Sequence, residues 1–105
     1  MIDGLVAGRL HGDAEMRQGK NASHFAVAKL KVVTNDGDTV LVNVIAFAAE
    51  VCTELMALRD GDAVSLSGSL VPKVWSDKQG NTKPALDMVA NRIVSLLAPE
   101  RNPGS

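Results

Sequence analysis

A chain of 105 residues with 46% apolar content has room for one domain around one core. Its net charge of −1 lacks the basic footprint of a general polyanion binder, while leaving room for a local basic face. Cys52 stands alone, no apolar run reaches membrane-spanning length, and Met1-Ile2-Asp3-Gly4 opens no signal peptide. Together these read as a cytoplasmic protein without disulfides.

In chain order, residues 2–10 read as a strand with Ile2, Val6 and Leu10 on one face. Gly4 and Gly8 interleave there, where a bulge or a close backbone approach needs a residue without a side chain. Arg9 falls on the other face. Residues 11–21 are polar and Gly-punctuated, hence a loop, carrying Arg17 and Lys20. Residues 23–34 form the second strand. Phe25 and Val27 share a face and pattern as core, after which Lys29 and Lys31 take that parity and Leu30 and Val32 become the apolar set. This phase change predicts a bulge or a strand leaving the sheet. Asn35-Asp36-Gly37-Asp38 is a hairpin signal. The third strand, residues 39–47, is apolar on both faces: Val40, Val42, Val44 and Ala46 against Leu41, Ile45 and Phe47, with Asn43 among the latter. Such a strand is covered on both sides, by core, partner chain or ligand.

Residues 48–59 carry the one helical pattern, with Val51, Leu55 and Leu58 on a stripe and Gly61 placed for a left-handed C-terminal cap. Residues 63–97 then read as two long strands around a turn at Ser76-Asp77-Lys78-Gln79-Gly80-Asn81. Val64, Leu66 and Leu70 alternate with Ser65, Ser67 and Ser69, and the serine parity continues through Val71, Lys73 and Trp75. The sole tryptophan is thus expected beside a lysine on the solvent side of a projecting hairpin. On the return strand, Leu86 and Met88 alternate with Asp87. Residues 98–105, with two prolines and no apolar pattern, are expected to be a flexible tail after a single domain of residues 1–97.

Three strands, a helix and two strands is the order of an all-β OB-fold: a five-stranded Greek-key barrel with a helix between strands three and four and a long hairpin between four and five. An SH3-like barrel is the competing architecture, but it would not expect a helix of three turns there.

With that order in place, the chain resembles the bacterial and phage single-stranded-DNA-binding protein family. The carrying segments are Val6-Ala7-Gly8-Arg9-Leu10 with Asp13 and Glu15, Phe25-Ala26-Val27-Ala28, Val44-Ile45-Ala46-Phe47, Gly68-Ser69-Leu70, and Lys73-Val74-Trp75-Ser76-Asp77-Lys78-Gln79-Gly80. The resemblance spans nearly the whole chain and implies sequence-independent binding of single-stranded DNA in replication, recombination or repair. It also implies a homo-oligomer, a tetramer or a dimer, in a bacterial, phage or plasmid setting at the nucleoid. By position, Trp75 and Phe47 match base-stacking aromatics of the family and Lys73 a basic position. The chain also departs from the family. Leu41 stands where a second stacking tryptophan is common, and Ala49, Asp60, Val71 and Val74 occupy places that are often basic. The C-terminal residues carry no acidic segment with an aromatic tip for recruiting replication proteins. A dimeric, tail-less primosomal single-strand-binding relative is similar as well.

Single strands are held by aromatic platforms and a groove of positive charge, whatever the base. The candidate contacts are Trp75 and Phe47 for stacking, and Lys29, Lys31, Lys73, Lys78, Lys83, Arg9 and Arg17 for phosphates. Each has a plainer explanation. Trp75 could pack against a partner chain, Phe47 could close the core at a strand end, and lysines are commonly solvated surface. His11 and His24 accompany no cysteine pair, so no metal or cofactor is expected. Cys52 reads as a small core residue, and the carboxylate pairs Asp13/Glu15 and Asp36/Asp38 as turn chemistry. No phosphate-cradling glycine loop or nucleophile elbow is present, so no enzyme activity is expected. Two other functions fit the same residues: a structural or protein-interaction subunit that keeps the barrel but has lost most DNA contact, and an RNA-binding OB module.

Overall fold

The computed structural model describes residues 2–20 and 23–95, apart from the side chains of Trp75 and Ser95. Six strands and one helix follow in the order β1 (Ile2–Leu10), β2 (Glu15–Gln18), β3 (His24–Val33), β4 (Thr39–Ala46), α1 (Ala49–Ala57), β5 (Ala63–Ser76) and β6 (Thr82–Ser95). They pair in the order β1-β5-β6-β4-β3-β2, and β1 pairs a second time with β3, at Arg9↔Lys31 and Leu10↔Leu30, which closes the ring. The β4–β6 pairing is parallel and the others are antiparallel. This is the OB-fold expected from the element order, with one strand more.

The barrel is filled from the even-numbered positions. Leu10, Leu30, Val42, Val44, Val64, Leu66 and Met88 are all at most 3% exposed. Burying one such side chain contributes about 1.5–3 kcal/mol. From α1, Val51, Cys52 and Leu55 complete the core. Cys52 is buried, its Sγ 3.2 Å from the Ala46 carbonyl oxygen that accepts from it. At Gly8 a Cβ would run into the Lys31 carbonyl, so the crossing of β1 onto β3 requires glycine there.

Four expectations need correction. First, the expected loop of residues 11–21 contains β2, which pairs with β3 from Glu15↔Val27 to Gln18↔His24. All four of its residues are exposed, so no apolar alternation announces it. Second, β3 has no phase change: its register with β4 runs unbroken from Ala26↔Ala46 to Val33↔Thr39. Its inner set is Ala26, Ala28, Leu30 and Val32, and its outer set Phe25, Val27, Lys29 and Lys31. Third, Phe25 is therefore an outer residue, not core. Fourth, the helix ends at Ala57, because Leu58 turns extended to bury its side chain, and Gly61 is not its cap. Gly61 instead takes its φ of +88° in the turn that returns to β1, where its N–H donates to the Leu10 carbonyl.

The turns behave as their composition predicts. Thr34 N–H donates to Asp38 O at 2.8 Å across the β3–β4 turn. At the β5–β6 tip, Asp77 Oδ1 accepts from the backbone N–H groups of Gln79 and Asn81, both at 2.9 Å. Those bonds, Asn81's foremost, hold the Asp77 carboxyl below its ordinary range. Beyond Ala85, where the β4 pairing ends, the hairpin has no third strand among the described residues and projects from the barrel. Residues 96 and 97 of the expected last strand and the expected tail, residues 98–105, lie outside the described residues.

Candidate nucleic-acid interface

Because alternate residues leave a strand on opposite sides, the registers of five strands stack their outer side chains into rows. One row reads Glu15, Val27, Ile45, Val89, Ser69 from β2 through β3, β4 and β6 to β5. The next reads Lys29, Asn43, Asp87, Val71, and the one beyond it Lys31, Leu41, Ala85, Lys73. On the other side of the first row, Arg17 pairs with Phe25, whose ring lies 5.9 Å from that of Phe47 at an interplanar angle of 48°. The face is concave. A groove of about 940 Å³ runs over it, with Val27, Ile45, Val71 and Val89 in its floor and His11, Asp13, Glu15, Arg17, Lys29, Lys73 and Asp87 among its polar lining.

Folding half-buries Val27 and Ile45 and leaves the rest of this apolar surface uncovered. Phe47 is 59% exposed, and Val71 and Val89 are also open to solvent. On the outer side of β4, which the sequence expected to be covered, Leu41 and Ile45 are half-buried and Asn43 is exposed, so the barrel covers that side only in part.

The candidate cations separate by surroundings. Lys29 and Lys31 project from neighbouring rows, both exposed. Arg9 stands beside Lys31 in the β1–β3 pairing, and its guanidinium donates to the Gly61 carbonyl at 3.0 Å. Arg17 lies 3.4 Å from Glu15. Lys73 is 2.6 Å from Asp87, whose other oxygen accepts from the Asn43 amide at 3.2 Å. The Lys73 ammonium above all, with Asn43 adding to it, holds the Asp87 carboxyl below its ordinary range, against an opposing push from partial burial. Lys78 is in the hairpin turn, and Lys83 pairs in register with Trp75 on the projecting arm, close enough to Asp77 to act on it electrostatically. The Trp75 side chain itself lies outside the described residues.

Folding thus brings Lys29, Lys31, Lys73, Arg17 and Phe47 to one face, and sets Lys78 and Lys83 out on the arm. Sequence reasoning missed Phe25, Asn43 and Asp87. Phe25 was recoverable from an unbroken alternation over residues 25–32 that counts alanines as core. Asp87 had a signal in its parity between Leu86 and Met88, but its partners come from β4 and β5. Among the described residues no group of three His, Cys, Asp or Glu side chains is placed to hold a metal ion. No described helix is long and apolar enough to cross a membrane.

No protein-family model matches the chain, and no curated protein matches it by sequence. Solved structures do match. A small single-stranded DNA-binding protein from Streptomyces coelicolor superposes with a TM-score of 0.71 at 21% identity, over 93% of this chain and 96% of that one. The mitochondrial single-stranded DNA-binding protein Rim1 of S. cerevisiae gives 0.65 at 19%, over 90% and 94%. A Plasmodium falciparum single-stranded DNA-binding protein, solved in complex with single-stranded DNA, gives 0.66 at 14%, over 91% and 95%. The chain shares the OB-fold of these proteins along almost their whole length.

Proposed function

We propose that this chain binds single-stranded DNA without sequence preference, in replication, recombination or repair, through the outer face of β2, β3, β4 and β6. The observation that carries this is the exposed Phe47 ring, paired with Phe25 beside an open apolar groove that Lys29 lines, with Lys31 in the next row. Every base has a π-face, so such a platform holds a strand whatever its sequence, at about 1–3 kcal/mol per stacked base. Lys29 and Lys31 take phosphates at the rim, with Lys73, Arg17 and Arg9 around them. Trp75, Lys78 and Lys83 extend the same path along the arm. The neighbours described above, one of them solved with a single strand, support the reading.

The active species is a homo-oligomer, at least a dimer and by resemblance a tetramer. Its support is β1, whose residues 2–8 pair, among the described residues, on one side only, with β5. An unpaired edge of that kind accepts a second copy.

One observation favours the alternative of a structural subunit with weak DNA contact: the lining cations Lys73 and Arg17 are each matched by a carboxylate. Titration of the single tryptophan's fluorescence with poly-dT, poly-U and duplex DNA tests both. Quenching by poly-dT alone, with a log–log salt slope between about −1 and −4, is the expected result. No response to any polymer favours the structural subunit, quenching by poly-U an RNA-binding role. A slope steeper than about −6 would mean a basic groove that these residues do not make.

A further inference from the structure

We propose that Asp87 is a built-in competitor for the phosphate, holding Lys73 in reserve so that a bound strand must exchange a phosphodiester for the carboxylate. This rests on the strand-binding reading of the groove and specifies how that site is regulated. Three strands set the arrangement: Lys73 comes from β5, Asp87 from β6 and Asn43 from β4, with Asn43 opposite Asp87 in the parallel register. The Lys73 ammonium sits 2.6 Å from one carboxylate oxygen while Asn43 steadies the other at 3.2 Å. The pair is half open to water, at 57% and 36% side-chain exposure, so an incoming anion can reach the ammonium. Asp87 lines the middle of the groove between Asn43 and Val71, on the path a strand crossing the face would take.

The consequence is a distinctive salt dependence. A phosphate that meets a free lysine sheds its counterion, which gives the usual slope of about −0.7 per contact on single strands. A phosphate that takes Lys73 from Asp87 also sheds one, but the released carboxylate takes up a cation in its place. The exchange is then nearly neutral in salt, and Lys73 adds affinity without adding slope. Asp87 thereby keeps the groove's grip on a strand weak and readily reversed.

The test is the affinity of a fluorescently labelled oligo-dT across a salt series, for the wild type, Asp87→Asn, Lys73→Gln and the double variant. Asp87→Asn should tighten binding about three- to tenfold at low salt, the scale of an exposed ion pair and one like-charge contact removed, and steepen the slope by about 0.7. Lys73→Gln alone should leave the slope where it was, a readout that stands even if Asp87→Asn folds poorly. The double variant should lose the steepening. An unchanged slope in Asp87→Asn, a slope flattened by about 0.7 in Lys73→Gln, or steepening that persists in the double variant would each overturn the proposal while leaving strand binding in place. Absence of binding by both the wild type and Asp87→Asn would remove the strand-binding reading and this inference with it.

Discussion

Two outer faces of one barrel, both apolar in part and both open to water, differ in what surrounds their apolar residues. Across β3 and β4, Phe25 and Phe47 adjoin a valine-and-isoleucine floor with lysines at its rim, and the surface is concave. Across β1, β5 and β6, Leu5 is 69% exposed and Val94 61%, separated by Ser65 and Ser67, with no aromatic in the rows. That second face borders the edge of β1 on which residues 2–8 have no partner strand among the described residues. Aromatics with cations suit a flexible polyanion. Aliphatics beside an unpaired edge suit another sheet. An exposed apolar side chain takes its meaning from its neighbours rather than from its exposure.

The largest perturbation should erase the comparison altogether. Leu66 is fully buried beneath both faces, so Leu66→Ala should cost about 2–5 kcal/mol, visible as a lowered denaturation midpoint, and weaken both faces together. Next, Leu5→Asp should separate them. An aspartate desolvated in an interface of β1 costs about 3 kcal/mol or more, so sedimentation should shift toward monomer while each barrel keeps its affinity for a short oligo-dT. A stable monomer in the wild type at micromolar concentration would remove this role from the β1 face.

Phe47→Ala is the converse. It should weaken strand binding by about 1–3 kcal/mol and leave oligomer mass and melting temperature nearly unchanged, and Trp75→Ala should do the same if its ring stacks. Truncation of a core or interface aromatic would instead remove about 3–5 kcal/mol of stability. Lys29→Ala should act more mildly, flattening the salt slope by about 0.7.

The smallest effect is in acid. The folded protein holds the Asp87 carboxyl below its ordinary value, chiefly through Lys73. The stability this gives is fully present above the ordinary carboxylate pKa of about 4 and is lost as pH falls through the lowered one. With both partners substantially exposed, it amounts to less than about 1 kcal/mol. Melting temperature plotted against pH should therefore fall slightly more in the wild type than in Asp87→Asn, and only in that acid range.

Those variants also mark where the sequence was legible. A strand that alternates valine or leucine with serine, as β5 does, declares its register, and the parity that gathers Lys29 with Lys31 held in the fold. Three features were not legible. β2 lies at the end of the sheet order and buries none of its side chains, so it has no pattern to read. The inner face of β3 begins with two alanines, whose low hydropathy beside Phe25 and Val27 inverted its apparent phase. The Lys73–Asp87–Asn43 network depends on the parallel pairing of β4 with β6, a contact between segments about forty residues apart that no local periodicity announces.

The groove is most directly tested by mapping backbone amide chemical shifts of the labelled protein during titration with oligo-dT. The perturbed amides should cluster at Val27, Lys29, Asn43, Ile45, Phe47 and Val89, with those of Asp3, Leu5 and Arg92 unmoved. Shifts confined to Asp3, Leu5, Ser67 and Arg92, with the β3–β4 face silent, would contradict it and assign strand binding to the other face.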